Sequence, residues 1–379
     1  MSAVTPQIES MQRTESDVRT APGSGRPSVL IVGTFLSESN GNRSVCEDLA
    51  ERLPACGWPV YTTSNKPGRI GRLIDMLTTA WSTRKDYELA QVDVYSGPAF
   101  YWAASVCGLL RILSKPYILT LHGGNLPEFS RRRVWLVQKV LNSAAVVTSP
   151  SRYLSEQMKQ FRHDIQVLPN AISLSQYPFV ERDASRQQLV WVRAFHHIYQ
   201  PQLAVRVFAE LSERFPQLAL TMVGPDKGDG SLQETQALAK ELSVEDRIRF
   251  VGRVPKNEIA VWINSGDIFL NTSTIDNTPV TVIEAMACGA CVVTTEVGGI
   301  PYLCDHRADA MLSPVGDVKA MAANVAQLLG QPKLASTLSR NARSRVELMD
   351  WAAILPRWTS LLRFVSNRRT ALRNSEVNS

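Results

Sequence analysis

Between Asp267 and Gly299 the chain reads DIFLNTSTIDNTPVTVIEAMACGACVVTTEVGG, and this stretch restricts what the rest can fold into. Two short β-branched and apolar runs, Asp267 to Asn271 and Cys291 to Thr295, are of strand length and lie beside turn or cap signals. The residues between them spell a helix from Pro279 to Cys288. Thr278 stands at the N-cap, Pro279 at the first helical position where its missing N–H costs nothing, and Gly289 just past the end. A strand–helix–strand unit of this kind crosses over right-handedly, and ligands gather at the carboxyl ends of its strands.

The helix is apolar nearly all round (Val280, Val282, Ile283, Ala285, Met286, Ala287), so it is expected to be buried, and Glu284 stands out on it. A buried carboxylate needs a partner. One turn earlier, the amides of Val280 and Thr281 offer donors and partial positive charge to an anion. Asp276 lies eight residues before Glu284 in the loop that delivers the chain to the helix. Two acceptor carboxylates flanking a phosphate-sized donor site suit a molecule with hydroxyls at both ends and phosphate in the middle, which is the shape of a nucleotide-sugar. The same residues also fit a salt-bridged core glutamate and a second N-cap.

Asp276, seven intervening residues and Glu284, followed by AMACG, a VVTT strand and a Gly pair, resemble the signature of glycosyltransferase family 4. That family comprises retaining enzymes of GT-B fold, an α/β architecture of two Rossmann-like, doubly wound parallel-sheet domains facing a central cleft. The resemblance implies that Asp276 contacts the donor sugar, that Glu284 holds the ribose hydroxyls, and that Asn277, Thr278, Val280 and Thr281 belong to the donor site. The family places Glu where this chain has Asp276, which shortens the reach by one methylene.

The chain has 379 residues, too many for one ordinary core and suited to two domains. Its 44% hydrophobic and 20% charged content is that of a globular protein. Net charge is +6, placed as +5 on residues 1–178 and +1 on 179–379. A basic first half suits an acidic acceptor, an anionic membrane surface or a solvated face. Nucleic acid is disfavoured because the basic residues do not alternate with aromatics. Six scattered cysteines show no disulfide framework, and Cys288-Gly-Ala-Cys291 joins a helix end to a strand start, a poor place for a redox centre. The histidines lack zinc spacing and no Asp-x-Asp occurs, so neither a metal nor another cofactor is expected. Residues 1–26 read as a disordered tail without an apolar segment, and Pro98 to Leu110 is too short to span a bilayer. A cytoplasmic protein, with peripheral contact at the inner membrane face as an option, is the expectation.

Within residues 27–178, apolar runs at Ser28–Thr34, Val60–Thr63, Val92–Ser96, Tyr117–Leu121, Ala145–Thr148 and Ile165–Leu168 alternate with helical patterns, as a doubly wound sheet requires. The run at Tyr117 ends in LHGGN and puts His122 at a strand's carboxyl edge beside two glycines; a lone histidine there is either structural or functional. By resemblance, this domain binds the acceptor and His122 contacts the donor sugar. The family's glycine pair after the first strand is reduced here to Gly41, flanked by Asn40 and Asn42, so Gly41 and Asn42 are the expected phosphate and acceptor loop. A basic helix, Ser130 to Leu141, carries Arg131 to Arg133 and Lys139; it fits either a membrane surface or packing on the sheet with its basic side in water. Residues Ser173 to Arg186 are expected to form a hinge.

Residues 179–350 form the expected donor domain. Arg193 ends its first strand, and a guanidinium there suits bidentate contacts with a diphosphate. The family's lysine six residues later is Tyr199 here; Lys227, in the loop GPDKGDG, is the candidate to supply the second cation. That loop lacks the spacing of a dinucleotide fingerprint, and a flexible turn is the simpler reading. Residues 351–366 are expected as a helix crossing back to the first domain, with 367–379 a loose tail. The resemblance thus implies a retaining transfer of a hexose from a nucleoside-diphosphate sugar to a glycan or lipid-linked acceptor, in cell-surface polysaccharide or glycolipid assembly. A nucleotide-sugar epimerase, a phosphorylase and a non-catalytic nucleotide-sugar binder are the rivals. A nicotinamide oxidoreductase is excluded by the missing GxGxxG.

Overall fold

The structure is a computed structural model that describes residues 27–37 and 44–377, the side chains of 368–377 excepted. The expected tail 1–26 and the phosphate-loop candidates Gly41 and Asn42 lie outside the described residues.

The first domain is built from β1 (Val29–Val32), α1 (Val45–Arg52), β2 (Val60–Thr63), α2 (Arg69–Ser82), β3 (Leu89–Val94), α3 (Pro98–Ile112), β4 (Tyr117–Leu121), α4 (Leu126–Arg132), α5 (Val134–Asn142), β5 (Val146–Ser149), α6 (Arg152–Met158) and β6 (Gln166–Val167). Its six strands are parallel in the order β2-β1-β3-β4-β5-β6. The apolar runs form central strands because helices cover both faces, so β1, β3, β4 and β5 are buried at every residue. Ser44 starts α1 through a capping box with Glu47, whose carboxylate receives the Ser44 amide at 2.6 Å. The helix stops at Arg52 and a 3-10 turn, Pro54–Cys56, carries the chain to Gly57 at φ 76°.

The second domain runs through β7 (Gln188–Val192), α7 (Pro201–Ser212), β8 (Ala219–Val223), α8 (Ser231–Glu241), β9 (Ile248–Gly252), α9 (Ile259–Asn264), β10 (Ile268–Asn271), α10 (Val280–Ala287), β11 (Cys291–Thr295), α11 (Ile300–Leu303), β12 (Met311–Ser313), α12 (Val318–Gly330) and α13 (Pro332–Glu347). The parallel order is β12-β11-β10-β7-β8-β9, so the sheet reverses between β7 and β10. Such a reversal opens a crevice beyond the strand ends. Arg193 and Thr272 follow directly on those two strands. The three-residue β12 gave no signal in the sequence, being shorter than any window in which alternation can be read.

Two crossings join the domains side by side. Ile172 donates its amide to Met349 O at 3.0 Å, and Trp351 donates to Ile172 O at 3.1 Å. From there α14 (Trp351–Val377) returns to the first sheet, packing Ile354, Trp358, Leu362 and Val365 against Val29, Ile31, Leu89, Ile118 and Val146. It runs past the expected end at residue 366, so the backbone to Val377 is helical rather than a loose tail; no proline or glycine after Pro356 interrupts it.

The expected hinge Ser173–Arg186 carries a 3-10 turn, Leu174–Gln176, in its first half. Its second half is fastened to the second domain by Arg182, 2% exposed, which donates to Gly266 O at 3.1 Å, Asn264 Oδ1 at 2.6 Å and Val180 O at 2.8 Å. At the paired crossings near residues 172–176 and 349–351, Leu174 donates its amide to Asp350 Oδ2 at 2.9 Å. Removing one member of a buried charged network leaves its acceptors unpaired, so Arg182→Ala is expected to cost about 3 kcal/mol in chemical denaturation. A change below about 0.5 kcal/mol, the usual surface value, would show that Arg182 does not anchor the linker.

Candidate functional site

The site lies where the two sheets present their carboxyl edges to each other. On the second domain, α10 begins one residue later than the sequence implied. Its N-cap is Pro279 in extended conformation (φ −66°, ψ 111°), with no side-chain cap, and the Thr278 hydroxyl is buried without a partner. Thr278 is therefore not the N-cap, because proline's fixed φ lets the residue itself serve as the extended half-turn before the helix. The first intrahelical bond is made by the Val282 amide to Pro279 O at 3.1 Å, so the Val280 and Thr281 amides precede the ladder.

Arg193 ties this helix end to the preceding loop. Its guanidinium meets Asp276 Oδ2 at 2.5 Å and donates to Thr281 Oγ1 at 3.1 Å, while its Nε is buried with no partner. Tyr199, the departure from the family's lysine, lies beneath it, with the ring centroid 4.3 Å from Arg193 Cζ. The aromatic face therefore steadies the Arg193 guanidinium. Burial pushes the Asp276 carboxyl above its ordinary range, with Arg193 pulling the other way.

Glu284 is 1% exposed and accepts from the Tyr177 hydroxyl at 2.8 Å. Burial, reinforced by the Glu284 charge, raises the Tyr177 hydroxyl well above its usual range, which keeps it protonated as the donor. Lys256, in the turn after β9, forms an ion pair with the same carboxylate. Lys256 was not legible as a site residue, since one lysine in a polar turn carries no pattern. Lys227 is exposed, and its amide donates to Phe195 O at 3.2 Å, so its loop runs beside the segment that follows Arg193. Gly224 permits that approach, as a Cβ there would lie 1.7 Å from Arg193 O.

Gly298 and Gly299 serve packing. A Cβ on Gly298 would stand 1.9 Å from Asp276 O and one on Gly299 1.8 Å from Asn277 O, so the two glycines seat the Asp276–Asn277 loop. The Asn277 side chain turns to the first domain and bonds Ser151. Gly124 comes up from the other side, where a Cβ would lie 3.2 Å from Ile275 Cγ2 and 3.6 Å from the Asp276 carbonyl carbon. The loop after His122 and the loop with Asp276 are thus in contact.

His122 follows β4, is 7% exposed, and places Nε2 3.0 Å from Asp93 Oδ1 on β3, with Tyr95 stacked on its ring at 4.9 Å. Asp93 also receives Gln91 Nε2 at 2.8 Å, whereas its Oδ2 is buried without a partner. Sequence reasoning missed Asp93, though a signal was present as the one charge in the apolar run LAQVDV. The structure thus joins Arg193, Asp276, Thr281 and Tyr199 directly and sets Glu284 one turn further along α10. It brings the loop after His122 against the Asp276 loop.

Two facing Rossmann-like domains with a polar cleft and a returning terminal helix define the GT-B class. The fold of sucrose-phosphate synthase from Thermosynechococcus elongatus superposes with a TM-score of 0.75 over 90% of this chain and 99% of that one at 19% identity. Anabaena HepE, solved in complex with UDP, superposes with 0.71 over 89% of this chain and 99% of that one at 18% identity. The family model for group 1 glycosyl transferases matches residues 178–345, and that for glycosyltransferase family 4 matches 40–176. The chain belongs to this family of group 1 glycosyltransferases. Relatives include D-inositol 3-phosphate glycosyltransferase 2 of Catenulispora acidiphila, 25% identical over 66% of this chain and 63% of its own length. N-acetyl-alpha-D-glucosaminyl L-malate synthase of Bacillus anthracis is 28% identical over 60% of this chain and 62% of its own length, so each alignment spans less than two thirds of the relative.

A methyl group at position 299 cannot fit without displacing the loop that carries Asp276. Gly299→Ala is expected to lower stability by about 2 kcal/mol, the scale of overpacking, measured by thermal or chemical unfolding. Unchanged stability would show the loop to be loosely seated.

Proposed function

We propose that the chain transfers a hexose from a nucleoside-diphosphate sugar to an acceptor hydroxyl with retention of configuration, in the assembly of a cell-surface glycan or glycolipid. The observation that carries this reading is the Arg193 guanidinium joined to Asp276 and Thr281 at the uncapped start of α10, with Glu284 one turn along. As the glycosidic bond breaks, negative charge grows on the leaving diphosphate, and donors already held in place lower that barrier most. Arg193 and the Val280 and Thr281 amides supply them. Asp276 and His122 hold the sugar and Glu284 the ribose, with Lys256 and Tyr177 fixing the Glu284 carboxylate. In the retaining reaction the acceptor oxygen attacks from the leaving-group face, and the departing phosphate oxygen takes its proton. Bending at the paired crossings would close the cleft and exclude water, which competes with the acceptor.

The UDP and UDP-glucose complexes of Anabaena HepE support a uridine donor, and the putative teichuronic acid biosynthesis glycosyltransferase of Bacillus subtilis, 28% identical over 52% of this chain, supports a cell-surface product. Among the described residues no helix is long and apolar enough to cross a membrane.

A thermal-shift panel of nucleoside diphosphates tests the donor, because a ligand at a hundred times its Kd adds about 2.7 kcal/mol of stability. UDP is expected to shift Tm and Glu284→Gln to weaken that binding at least about tenfold, the scale of a charge-assisted hydrogen bond. No shift with any nucleoside diphosphate would refute the reading. Lys227→Ala is expected to raise the donor KM, and an unchanged value would remove Lys227 from the site. NMR of the product's anomeric proton checks retention.

A further inference from the structure

In the first domain the sheet order also reverses, between β1 and β3. On the side of this sheet that α1 and α14 cover, alternate residues of β3, β4 and β5 turn from apolar to polar toward the carboxyl edge. Leu89, Ile118 and Val146 pack with Trp358 and Leu362 of α14. Next along the same face come Gln91, Thr120 and Thr148, and then Asp93 and His122, all of them buried. A polar wedge inside a central sheet is unfavourable unless each group in it is bonded.

The wedge is one connected network. Thr148 Oγ1 lies 3.1 Å from Thr120 Oγ1, Gln91 Nε2 donates to Thr120 Oγ1 at 2.9 Å and to Asp93 Oδ1 at 2.8 Å, and Asp93 Oδ1 also receives His122 Nε2 at 3.0 Å. It is not fully satisfied, because Gln91 Oε1 and Asp93 Oδ2 are buried without a hydrogen-bond partner. Asp93 Oδ2 packs with the Cys46 thiol against Gly33, where a Cβ would stand 2.9 Å from Oδ2 and 2.5 Å from Sγ. Burial, reinforced by the Asp93 charge, pushes that thiol well above its ordinary range, so it stays protonated beside the carboxylate. Unpaired buried acceptors lower stability, so the network is explained by what it holds rather than by the stability it gives.

Its free end is His122. Asp93 takes Nε2, Tyr95 stacks on the ring at 4.9 Å, and the His122 amide donates to Val94 O at 2.8 Å. The other ring nitrogen, Nδ1, has no partner among the described residues and keeps accessible surface. We propose that Asp93, braced by Gln91 and Thr120, is a positioning residue that holds the His122 ring with Nε2–H turned into the domain and Nδ1 left for a hydroxyl of the donor sugar. Asp93 itself does not touch the sugar. The inference rests on the transferase reading for the word sugar; the setting of the ring stands on the network. Nucleotide binding, done by the second domain, is then independent of Asp93, whereas the rate is not, since a misplacement of about 1 Å lowers a rate by about a hundredfold.

The test follows the His122 ring by NMR in full-length protein with isotopically labelled histidine, alone, with UDP and with UDP-glucose, the ring being assigned by its loss in His122→Gln. A slowly exchanging hydrogen on Nε2 is expected in the free protein, and the Nδ1 resonance is expected to move with UDP-glucose and not with UDP. Asp93→Asn is expected to speed the exchange at least about tenfold, the scale of a charge-assisted hydrogen bond, and Gln91→Met severalfold. In UDP release from UDP-glucose the same variants are expected to lower kcat in the same order, with KM, the Kd for UDP and Tm unchanged. Exchange as slow in Asp93→Asn as in the wild type, or an Nδ1 resonance indifferent to bound UDP-glucose, would overturn the proposal. A fall in kcat matched by weaker UDP binding or a lower Tm would overturn it too, by making Asp93 a structural residue. Wild-type protein that neither binds nor cleaves UDP-glucose would count against the transferase reading, and the exchange rate would still decide whether Asp93 sets the ring.

Discussion

The structure depends on one ion pair at the mouth of the second sheet. Arg193 on the end of β7 reaches Asp276 and Thr281, and so joins the strand, the loop and the start of α10 into one rigid corner. Both members are largely buried, at 16% and 10% side-chain exposure, so neither charge is affordable without the other. The corner is held from outside as well. Tyr199 backs the guanidinium, Gly298 and Gly299 receive the loop, and Gly224 lets the neighbouring strand end pass.

Domain assembly follows from that corner. The loop anchored by Asp276 is the one that Gly124 and Ser151 meet from the first domain, so contact across the cleft is made by the chain that holds the candidate donor site. Tyr302 adds a second contact, ring against Tyr153 at 5.9 Å and hydroxyl to Glu156 at 3.1 Å. The connections are two chain segments bonded through Ile172, Met349 and Trp351, and the linker beyond is fixed by Arg182.

The two switch points divide the labour. The second domain's crevice holds Arg193 beside the uncapped start of α10, and the first domain's crevice holds Asp93 and His122. His122 stands between them, set by Asp93 below and Tyr95 on its face. An ionised carboxylate only accepts, so Nε2 carries the hydrogen of the contact with Asp93.

Local signals settled much of this. Continuous apolar runs of strand length, separated by helical periodicity and glycine stops, were enough for two doubly wound sheets. A lone glutamate on an otherwise apolar helix was enough to call for a partner at Glu284, because an unpaired buried charge is costly, and the structure supplies Tyr177 and Lys256. The start of α10 was legible only to within a residue, since Thr278 and Pro279 both carry cap signals and the backbone angles decide between them. Lys256 was beyond reach, for its pairing with Glu284 comes from what lies opposite it in space, while Asp93 left a trace as the one charge in an apolar run. Sequence alone determined the elements and the carboxylates, through burial and short-range periodicity; only the tertiary structure decided the partners, because strand order and domain contact bring together residues far apart in the chain, as with Arg193 and Asp276 or Tyr177 and Glu284.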